Sequence, residues 1–356
     1  MRNRGSIFRF VTACTVCFAI IGYSVYAFLF AAPTGTAPLS SGAGGAAGRS
    51  DISRGEDTHF SDPPPGSESE KAGETSGTAE VQSVPAAAAG TAKGKVIAKY
   101  FSPYSAKDAY NNTYVKNSTG TGIDIKGLLG ADLSFKIKKG DEPQVLILHT
   151  HTTECFMTED RDYYTDADVT RSLDEQNNIV RVGDAVANKL AAAGIKAVHA
   201  KEKHDYPEYN GSYTRAAQTI GRYLKKYPTI KVVIDLHRDA IASGETDKVK
   251  PVTEINGKKA AQVMIVMGSQ TGSVTNFPDW QENLKLALLL QASMNDKYPS
   301  LARPILLSEY RYNQHLTPGS LILEVGSNGN TLQEAITAIR YFADSASDVF
   351  HALSGE

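Results

Sequence analysis

The sequence predicts an α/β domain with a largely parallel central sheet flanked by helices, preceded by a transmembrane helix and a disordered tether. Short apolar runs of strand length alternate with amphipathic helical patterns over residues 94–356, which predicts the α/β domain. A long apolar run near the N-terminus predicts the membrane segment. The formal net charge of −2 gives no electrostatic reason to expect nucleic-acid binding.

The N-terminal part begins with a basic stretch, residues 1–9, followed by an apolar run, residues 10–32, long enough to cross a membrane. Arg2, Arg4 and Arg9 precede the run, so the positive-inside bias predicts a cytoplasmic N-terminus and an extracytoplasmic remainder. A cleaved signal peptide is the alternative, because small residues end the run.

Residues 33–93 are rich in Gly, Ala, Ser and Pro, with too little apolar surface to offset chain entropy. We expect a flexible linker with an r.m.s. span on the order of 40 Å. Residues 94–356 then form the folded domain, a stretch of the size of one large domain.

Apolar runs of strand length occur at five places in the domain, and most of them predict strands that are buried on both faces. They are VLIL (145–148), IKAVHA (195–200), IKVVIDL (230–236), AQVMIVMG (261–268) and SLILEVG (320–326). Four helical patterns accompany them, at residues 180–194, 214–228, 280–299 and 331–353. The first of these ends at Gly194, which suits a helix C-terminus.

Metal-binding residue types follow three of the predicted strands. VLIL leads into His149 and His151, IKVVIDL ends at His237, and SLIL is followed by Glu324. Ligands of open α/β sheets bind beyond the carboxyl ends of the strands. Imidazole and carboxylate groups suit zinc, whose catalytic sites take three protein ligands and keep an open water position.

Several of these segments resemble one family. The motifs HTHTTE, HDYPEYNGSYTRA, IDLHRDA and RYNQHLTPGSLILEVGSNGN are similar to those of stage II sporulation protein P, and the resemblance covers residues 143–353 together with the anchor and tether. It implies a divergent zinc-dependent N-acetylmuramoyl-L-alanine amidase that acts on septal peptidoglycan during engulfment, also cuts cross-links as an endopeptidase, and works with stage II sporulation proteins D and M. It further implies a single-pass protein of the cell membrane.

The resemblance also implies a ligand set. His151, Glu175 and His237 correspond to the metal ligands, and Glu324 corresponds to the catalytic carboxylate. His149 is the alternative to His151. Glu154 is the alternative to Glu175, because the stretch between the first His and Glu175 departs from the family pattern.

Further polar residues near these motifs are candidates for substrate binding or for orienting the ligands. They are Arg238, Asp239, Arg311, Asn313 and His315. Two alternative hypotheses for the function are a thiol peptidase that uses Cys155 and a wall-binding scaffold without catalysis.

Overall fold

The computed structural model describes residues 90–138 and 140–354. The predicted cytoplasmic stretch, the transmembrane run 10–32 and nearly all of the linker 33–93 lie outside these ranges. Within them, no helix combines the length and the apolar character needed to cross a membrane. The first strand begins at Ala92, just before the expected start of the domain at Gly94.

The strands, numbered along the chain, have the following bounds. They are β1 (Ala92–Lys99), β2 (Asp108–Tyr110), β3 (Thr113–Asn117), β4 (Val145–Leu148), β5 (Tyr163–Thr165), β6 (Ala197–His199), β7 (Val232–Asp239), β8 (Ala242–Ser243), β9 (Asp247–Ile255), β10 (Lys258–Ala261), β11 (Val263–Gly268), β12 (Ile305–Ser308) and β13 (Ser320–Ser327). The α-helices are α1 (Ile125–Gly130), α2 (Ile179–Ala192), α3 (Ser212–Lys226), α4 (Trp280–Lys297) and α5 (Leu332–Ala352).

The larger sheet has eight strands in the order β2-β3-β12-β11-β13-β7-β4-β6. The strands β6, β4, β7 and β13 are parallel to one another, and β11, β12 and β3 form a second parallel group. The two groups run in opposite directions, because β11 and β13 pair antiparallel. The predicted α/β class is therefore confirmed, with antiparallel pairing in this largely parallel sheet at β11-β13 and at the edge pair β2-β3.

Side-chain alternation gives this sheet two buried faces. On one face, Ile147 and Ile234 pack with side chains of α2, α4 and α5 in the main core. On the other face, Leu146 and Val233 pack against Ala216 and other residues of α3. Burial on both faces explains why these strands read as continuous apolar runs.

A second sheet, in the order β10-β9-β1-β5 with β8 beside β9, was not predicted. Its β9-β10 hairpin turns at Asn256 and Gly257, which have φ of +52° and +72°. Such Asn-Gly turns favour tight hairpins. The buried Lys250 of β9 contacts Glu334 of α5 at 3.2 Å, which joins this sheet to the main body of the domain.

The predicted helices are confirmed, with ends shifted by a few residues. Gly194 follows α2 with φ of +78°, as expected for a helix C-terminus. Helix α5 begins with a capping box, in which Thr331 and Glu334 each bond the other's backbone N–H.

Helix α2 approaches the sheet closely at Gly183. A Cβ atom at this position would lie 2.5 Å from Nε2 of His199 and 2.9 Å from Nε2 of His149. Gly221 of α3, by contrast, has open space around it. The first glycine is therefore needed for packing, whereas the second only lowers helix propensity.

We predict that Gly183→Ala destabilises the protein because the methyl group must displace two buried rings. Gly221→Ala is the matched control and should stabilise it by about 0.5–1 kcal/mol through helix propensity. Chemical denaturation of both variants measures the two free energies of unfolding. Equal, stabilising effects of both substitutions would contradict the close approach of α2 to the histidine pair.

A buried histidine and carboxylate site

Parallel pairing brings the three chemically important strands together. Strand β7 lies between β4 and β13 and is parallel to both, with Leu148 opposite Asp235 and His237 opposite Glu324. Side chains at the carboxyl ends of β4 and β7 therefore lie beside Glu324 of β13. The convergence expected from the sequence is present in the structure.

Asp235 links the loop after β4 to His237. Its carboxylate accepts hydrogen bonds from the backbone N–H of Thr150 at 2.8 Å and from the Thr150 hydroxyl at 2.6 Å. Oδ1 of Asp235 also lies 3.0 Å from Nε2 of His237. Burial alone would raise the pKa of Asp235, but His237 and these hydrogen bonds lower it to about 2.

His151 lies next to His237, with ring centroids 5.2 Å apart and the ring planes nearly perpendicular. Its other side stacks on Tyr209 of the loop before α3, at a centroid distance of 4.7 Å. The guanidinium of Arg171 lies 4.4 Å from the centroid of the Tyr209 ring. Burial and then the charge of His237 hold the pKa of His151 well below its usual value, which favours the neutral imidazole.

His237 lies inside β7, because the strand continues to Asp239 instead of ending at Leu236 as predicted. Its Nδ1 is 3.7 Å from Oε2 of Glu154. Burial lowers the pKa of His237, but the attraction of Asp235, Glu154 and Glu324 outweighs burial and raises it to about 10.

Glu324 is buried at the centre of the sheet, directly opposite His237. Among the described residues, its Oε2 has no hydrogen-bond partner. Burial raises the pKa of Glu324 to about 8, against the opposing attraction of His237. A buried carboxyl group with an unsatisfied oxygen is costly in a fold, which indicates a functional role.

The structure distinguishes His149 from His151. Both ring nitrogens of His149 have protein partners. Its Nδ1 lies 2.9 Å from the carbonyl oxygen of Leu236, and its Nε2 lies 2.8 Å from Nε2 of His199. The Nδ1 of His199 in turn forms a hydrogen bond with Oδ1 of Asp184, at 3.0 Å. His149 therefore belongs to a hydrogen-bonded chain under α2, and His151 is the imidazole that faces His237.

Glu154 and Glu175 also occupy different places. Glu154 is buried, and its Oε2 accepts a hydrogen bond from the backbone N–H of Arg238 at 3.1 Å, next to His237. Glu175 lies before α2 with a side chain that is 38% exposed, and it pairs with Lys203 at 3.5 Å. Glu154 is thus the carboxylate that lies next to His237, whereas Glu175 lies at the surface beside Lys203.

The remaining candidates mostly support loops. Arg238 donates hydrogen bonds to the carbonyls of Cys155 and Thr170, and Asp239 pairs with the buried Arg303 at 2.8 Å. Both residues therefore hold segments around the site.

The other three candidates follow β12. Asn313 has φ of +58° and bonds the carbonyl of Tyr213. His315 lies in the turn that precedes β13 and makes an edge contact with Phe277, and Arg311 is partly exposed beside it. None of these contacts brings the three side chains to the imidazoles.

Cys155 does not have the environment of a catalytic thiol. Its Sγ donates to the carbonyl of Val169 at 2.9 Å, and burial raises its pKa to about 11. A nucleophilic cysteine needs a lowered pKa and access to substrate. The structure therefore does not favour the thiol peptidase reading.

The side chains present fit a divalent metal in their chemistry. In the part of the chain that the structure describes, no set of three or more His, Cys, Asp or Glu side chains is arranged as a metal site. His151, His237 and Glu154 nevertheless provide the nitrogen and oxygen ligands that zinc prefers, and Glu324 has an unsatisfied buried oxygen. The carboxylate of Asp235 behind His237 is the usual outer partner of a metal-bound imidazole.

Sequence reasoning missed Asp235. It lies two residues before His237, and residues at this spacing in a strand project from the same face. That signal was available once IKVVIDL had been assigned as a strand. The role of Tyr209 beside His151 depends on the fold of the loop before α3, which the sequence does not reveal.

The fold and the site together define an α/β protein with a buried histidine and carboxylate cluster at the ends of parallel strands. The profile of the family described as Stage II sporulation protein P matches residues 56–347, so the chain belongs to that family. A curated relative, Stage II sporulation protein P of Bacillus subtilis (strain 168), is 30% identical over 234 residues. The match covers 61% of this chain and 55% of that relative.

Two solved structures similar to this chain are N-acetylmuramoyl-L-alanine amidases. The enzyme from Clostridium difficile 630 is 15% identical, over 60% of this chain and 97% of that chain, with a TM-score of 0.36. The catalytic domain of CwlV from Bacillus (Paenibacillus) polymyxa var. colistinus is 12% identical, over 60% of this chain and 99% of that chain, with a TM-score of 0.35. Identities this low say nothing about activity, which has to be argued from the residues of the site.

Proposed function

We propose that the protein is a zinc-dependent peptidoglycan hydrolase, an N-acetylmuramoyl-L-alanine amidase that also cuts cross-links as an endopeptidase. The observation that carries the proposal is the gathering of His151, His237, Glu154 and Glu324 at the ends of adjacent parallel strands. Membership of the sporulation family supports septal peptidoglycan as the substrate during engulfment.

In this proposal His151, His237 and Glu154 hold the metal, and Glu324 is the general acid and base. The chemistry that zinc would supply at such a site is a lowered pKa for a water molecule and a polarised scissile carbonyl. Glu324 accepts the proton of the attacking water and delivers it to the leaving amine. Asp235 holds the ring of His237 in one orientation. It also fixes the backbone at Thr150, the residue immediately before His151.

Substitution of His237 and Glu324 separates metal binding from proton transfer. We expect His237→Ala to lose both zinc and activity, whereas Glu324→Gln should keep zinc and the fold. The activity of Glu324→Gln should fall by roughly 10²- to 10⁴-fold, because the amide cannot accept a proton. Elemental analysis of the purified full-length protein and mass spectrometry of digested peptidoglycan measure the two properties.

Three outcomes would count against this mechanism. Release of zinc by Glu324→Gln would make Glu324 a ligand, and the parent rate in that variant would remove its role as a base. A wild-type protein that lacks zinc and is insensitive to chelators would contradict the metal site itself.

The third ligand is tested by a matched pair of substitutions. We expect Glu154→Gln to lower zinc affinity by at least about 10-fold, because it removes a charged oxygen beside His237. Glu175→Gln should leave zinc affinity unchanged, because Glu175 pairs with Lys203 at the surface. Competition with a chelating dye measures both affinities. The reverse result would restore Glu175 as the ligand that the family resemblance implies.

We also propose that residues 10–32 anchor the protein in the cell membrane and that residues 33–93 tether the domain from residue 94 onward outside it. The support is the apolar run, the three preceding arginines and the composition of the linker. Stage II sporulation proteins D and M are the proposed partners. Protease digestion of intact protoplasts should remove the domain, and its protection there would contradict this orientation.

A further inference from the structure

A groove of about 520 Å³ lies between α2 and α5, and Tyr298 at the end of α4 contributes to its lining. Both helices pack on the core that also contains Ile234 and Leu236 of β7. Asp235 and His237 alternate with these two residues along the strand, so they project from the other face of the sheet. The large sheet therefore separates this groove from the proposed metal site.

Three cationic side chains line the groove. Arg181 and Lys189 belong to α2, at positions about two helical turns apart, and Arg340 belongs to α5. In the part of the chain that the structure describes, none of these three side chains forms an ion pair or a hydrogen bond. Unpaired positive charges around one concave surface attract an anionic ligand.

Among the described residues that line the groove, only Asp344 of α5 is acidic, and its charge is already balanced. Its Oδ2 lies 2.5 Å from Nζ of Lys297 and accepts a hydrogen bond from the Tyr298 hydroxyl at 2.8 Å. The hydrogen bond from Lys297 is the largest cause of the lowered pKa of Asp344, and the charge of Lys189 makes a smaller contribution. Because Lys297 and Tyr298 hold Asp344, the three cations stay available to a ligand.

Two tyrosines form an aromatic wall of the groove. The ring centroids of Tyr298 and Tyr341 lie 4.6 Å apart, with 48° between the ring planes. The Tyr341 hydroxyl donates a hydrogen bond to the carbonyl of Ile255 at 3.2 Å, so both rings are held at their hydroxyl ends. Both rings are half-buried. A held aromatic wall beside a few polar groups is the arrangement of a preformed ligand site, and its apolar faces suit sugar rings.

The proposed amidase reaction produces a polymer with the matching chemistry. Hydrolysis adds the hydroxyl of water to the lactyl carbonyl carbon, breaks the bond to the alanine nitrogen and leaves the proton of water on the amine. The glycan strand then keeps a lactyl carboxylic acid on each muramoyl residue that has lost its peptide, and such an acid is ionised near neutral pH. A strand without peptides thus combines sugar rings with repeated negative charges.

We infer that the groove between α2 and α5 binds a glycan strand that carries free lactyl carboxylates. The inference rests on the proposed amidase function, because that reaction creates these carboxylates. Arg181 and Arg340 offer planar guanidinium groups that bind carboxylates in a bidentate manner. Arg181 and Lys189 are about 12 Å apart along α2, which suits an extended ligand with more than one carboxylate. Binding on the face of the sheet opposite to the proposed metal site keeps the protein on a strand after hydrolysis.

The experiment measures binding of two oligosaccharides by calorimetric titration of the purified full-length protein. One is a peptide-free oligomer of N-acetylglucosamine and N-acetylmuramic acid, and the other is a chitin oligomer of the same length, which lacks lactyl groups. Arg340→Glu reverses a charge of the groove, and Arg340→Gln removes it with less risk to folding. Lys225→Glu, at an exposed position of α3, is the matched control.

We expect the wild type and Lys225→Glu to bind the muramic acid oligomer roughly 3- to 150-fold more tightly than chitin, as for three exposed ion pairs. Arg340→Gln should reduce this preference by roughly two- to five-fold, and Arg340→Glu should reduce it further. Added salt should weaken the preference. Zinc content and kcat on a short muramoyl peptide should not change in these variants.

Equal affinity of the wild type for the two oligosaccharides overturns the inference, and so does an equal loss in Arg340→Glu and Lys225→Glu. Residues 56–80 contain seven acidic residues and one lysine, so this segment of the chain is the competing occupant. Binding of the muramic acid oligomer that appears only after deletion of residues 56–80 would assign the groove to that segment and overturn the inference.

Failure of the proposed function gives a different result. The oligosaccharides are supplied ready-made, so the titration decides the inference without any turnover. A protein that hydrolyses no muramoyl peptide but shows the expected preference, lost in Arg340→Glu, retains the groove as a binding site and loses the amidase function. A protein that hydrolyses the peptide and binds both oligosaccharides equally keeps the amidase function and loses the inference.

Discussion

The site depends on the buried carboxylate of Asp235. This side chain both fixes the backbone after β4, through Thr150, and contacts the ring of His237. Because Asp235 of β7 contacts both Thr150 and His237, it fixes the distance between the loop that carries His151 and the ring of His237. Because the charge of Asp235 is favoured by His237 and by Thr150, its pKa is lowered to about 2, and this support is lost only as pH falls toward that value.

Charge balance explains the arrangement around that carboxylate. Asp235, Glu154 and Glu324 surround His237, and their summed attraction outweighs burial and raises the pKa of His237 to about 10. Burial of several carboxylates around one imidazole is unfavourable unless positive charge is supplied. The divalent cation that we propose at His151, His237 and Glu154 would supply such charge, which is the physical reason for proposing a metal enzyme and not a scaffold. The thiol reading lacks comparable support, because the Cys155 thiol is buried and protonated.

The sequence predicted the parts of the fold that carry periodic apolar signals. Strands buried on both faces, such as Val145–Leu148, and amphipathic helices such as Ile179–Ala192 were located to within a few residues. The second sheet was missed because its strands are short or half-exposed, although the Asn256-Gly257 pair marks its hairpin. The reversal between β11 and β13 was also missed, because strand direction depends on long-range pairing that local patterns do not encode.

The same limit applies to the site. His237 and Glu324 were found because they lie at or near the ends of strong strand signals. The choice between Glu154 and Glu175 could not be made from spacing, since it depends on the path of the loop between β4 and α2. Arg238 holds that loop in place. Its backbone N–H donates a hydrogen bond to the carboxylate of Glu154, and its guanidinium donates to the carbonyls of Cys155 and Thr170.

The reversal of strand direction also organises the surface next to Glu324. On the side of β7, the neighbouring residues are polar, whereas Met264 of β11 presents an apolar side chain directly opposite the carboxylate. Met264 is itself buried, and burial is the largest influence on the pKa of Glu324. Polar side chains of β7 and the apolar side chain of Met264 thus meet on either side of Glu324, at the boundary between β13 and β11.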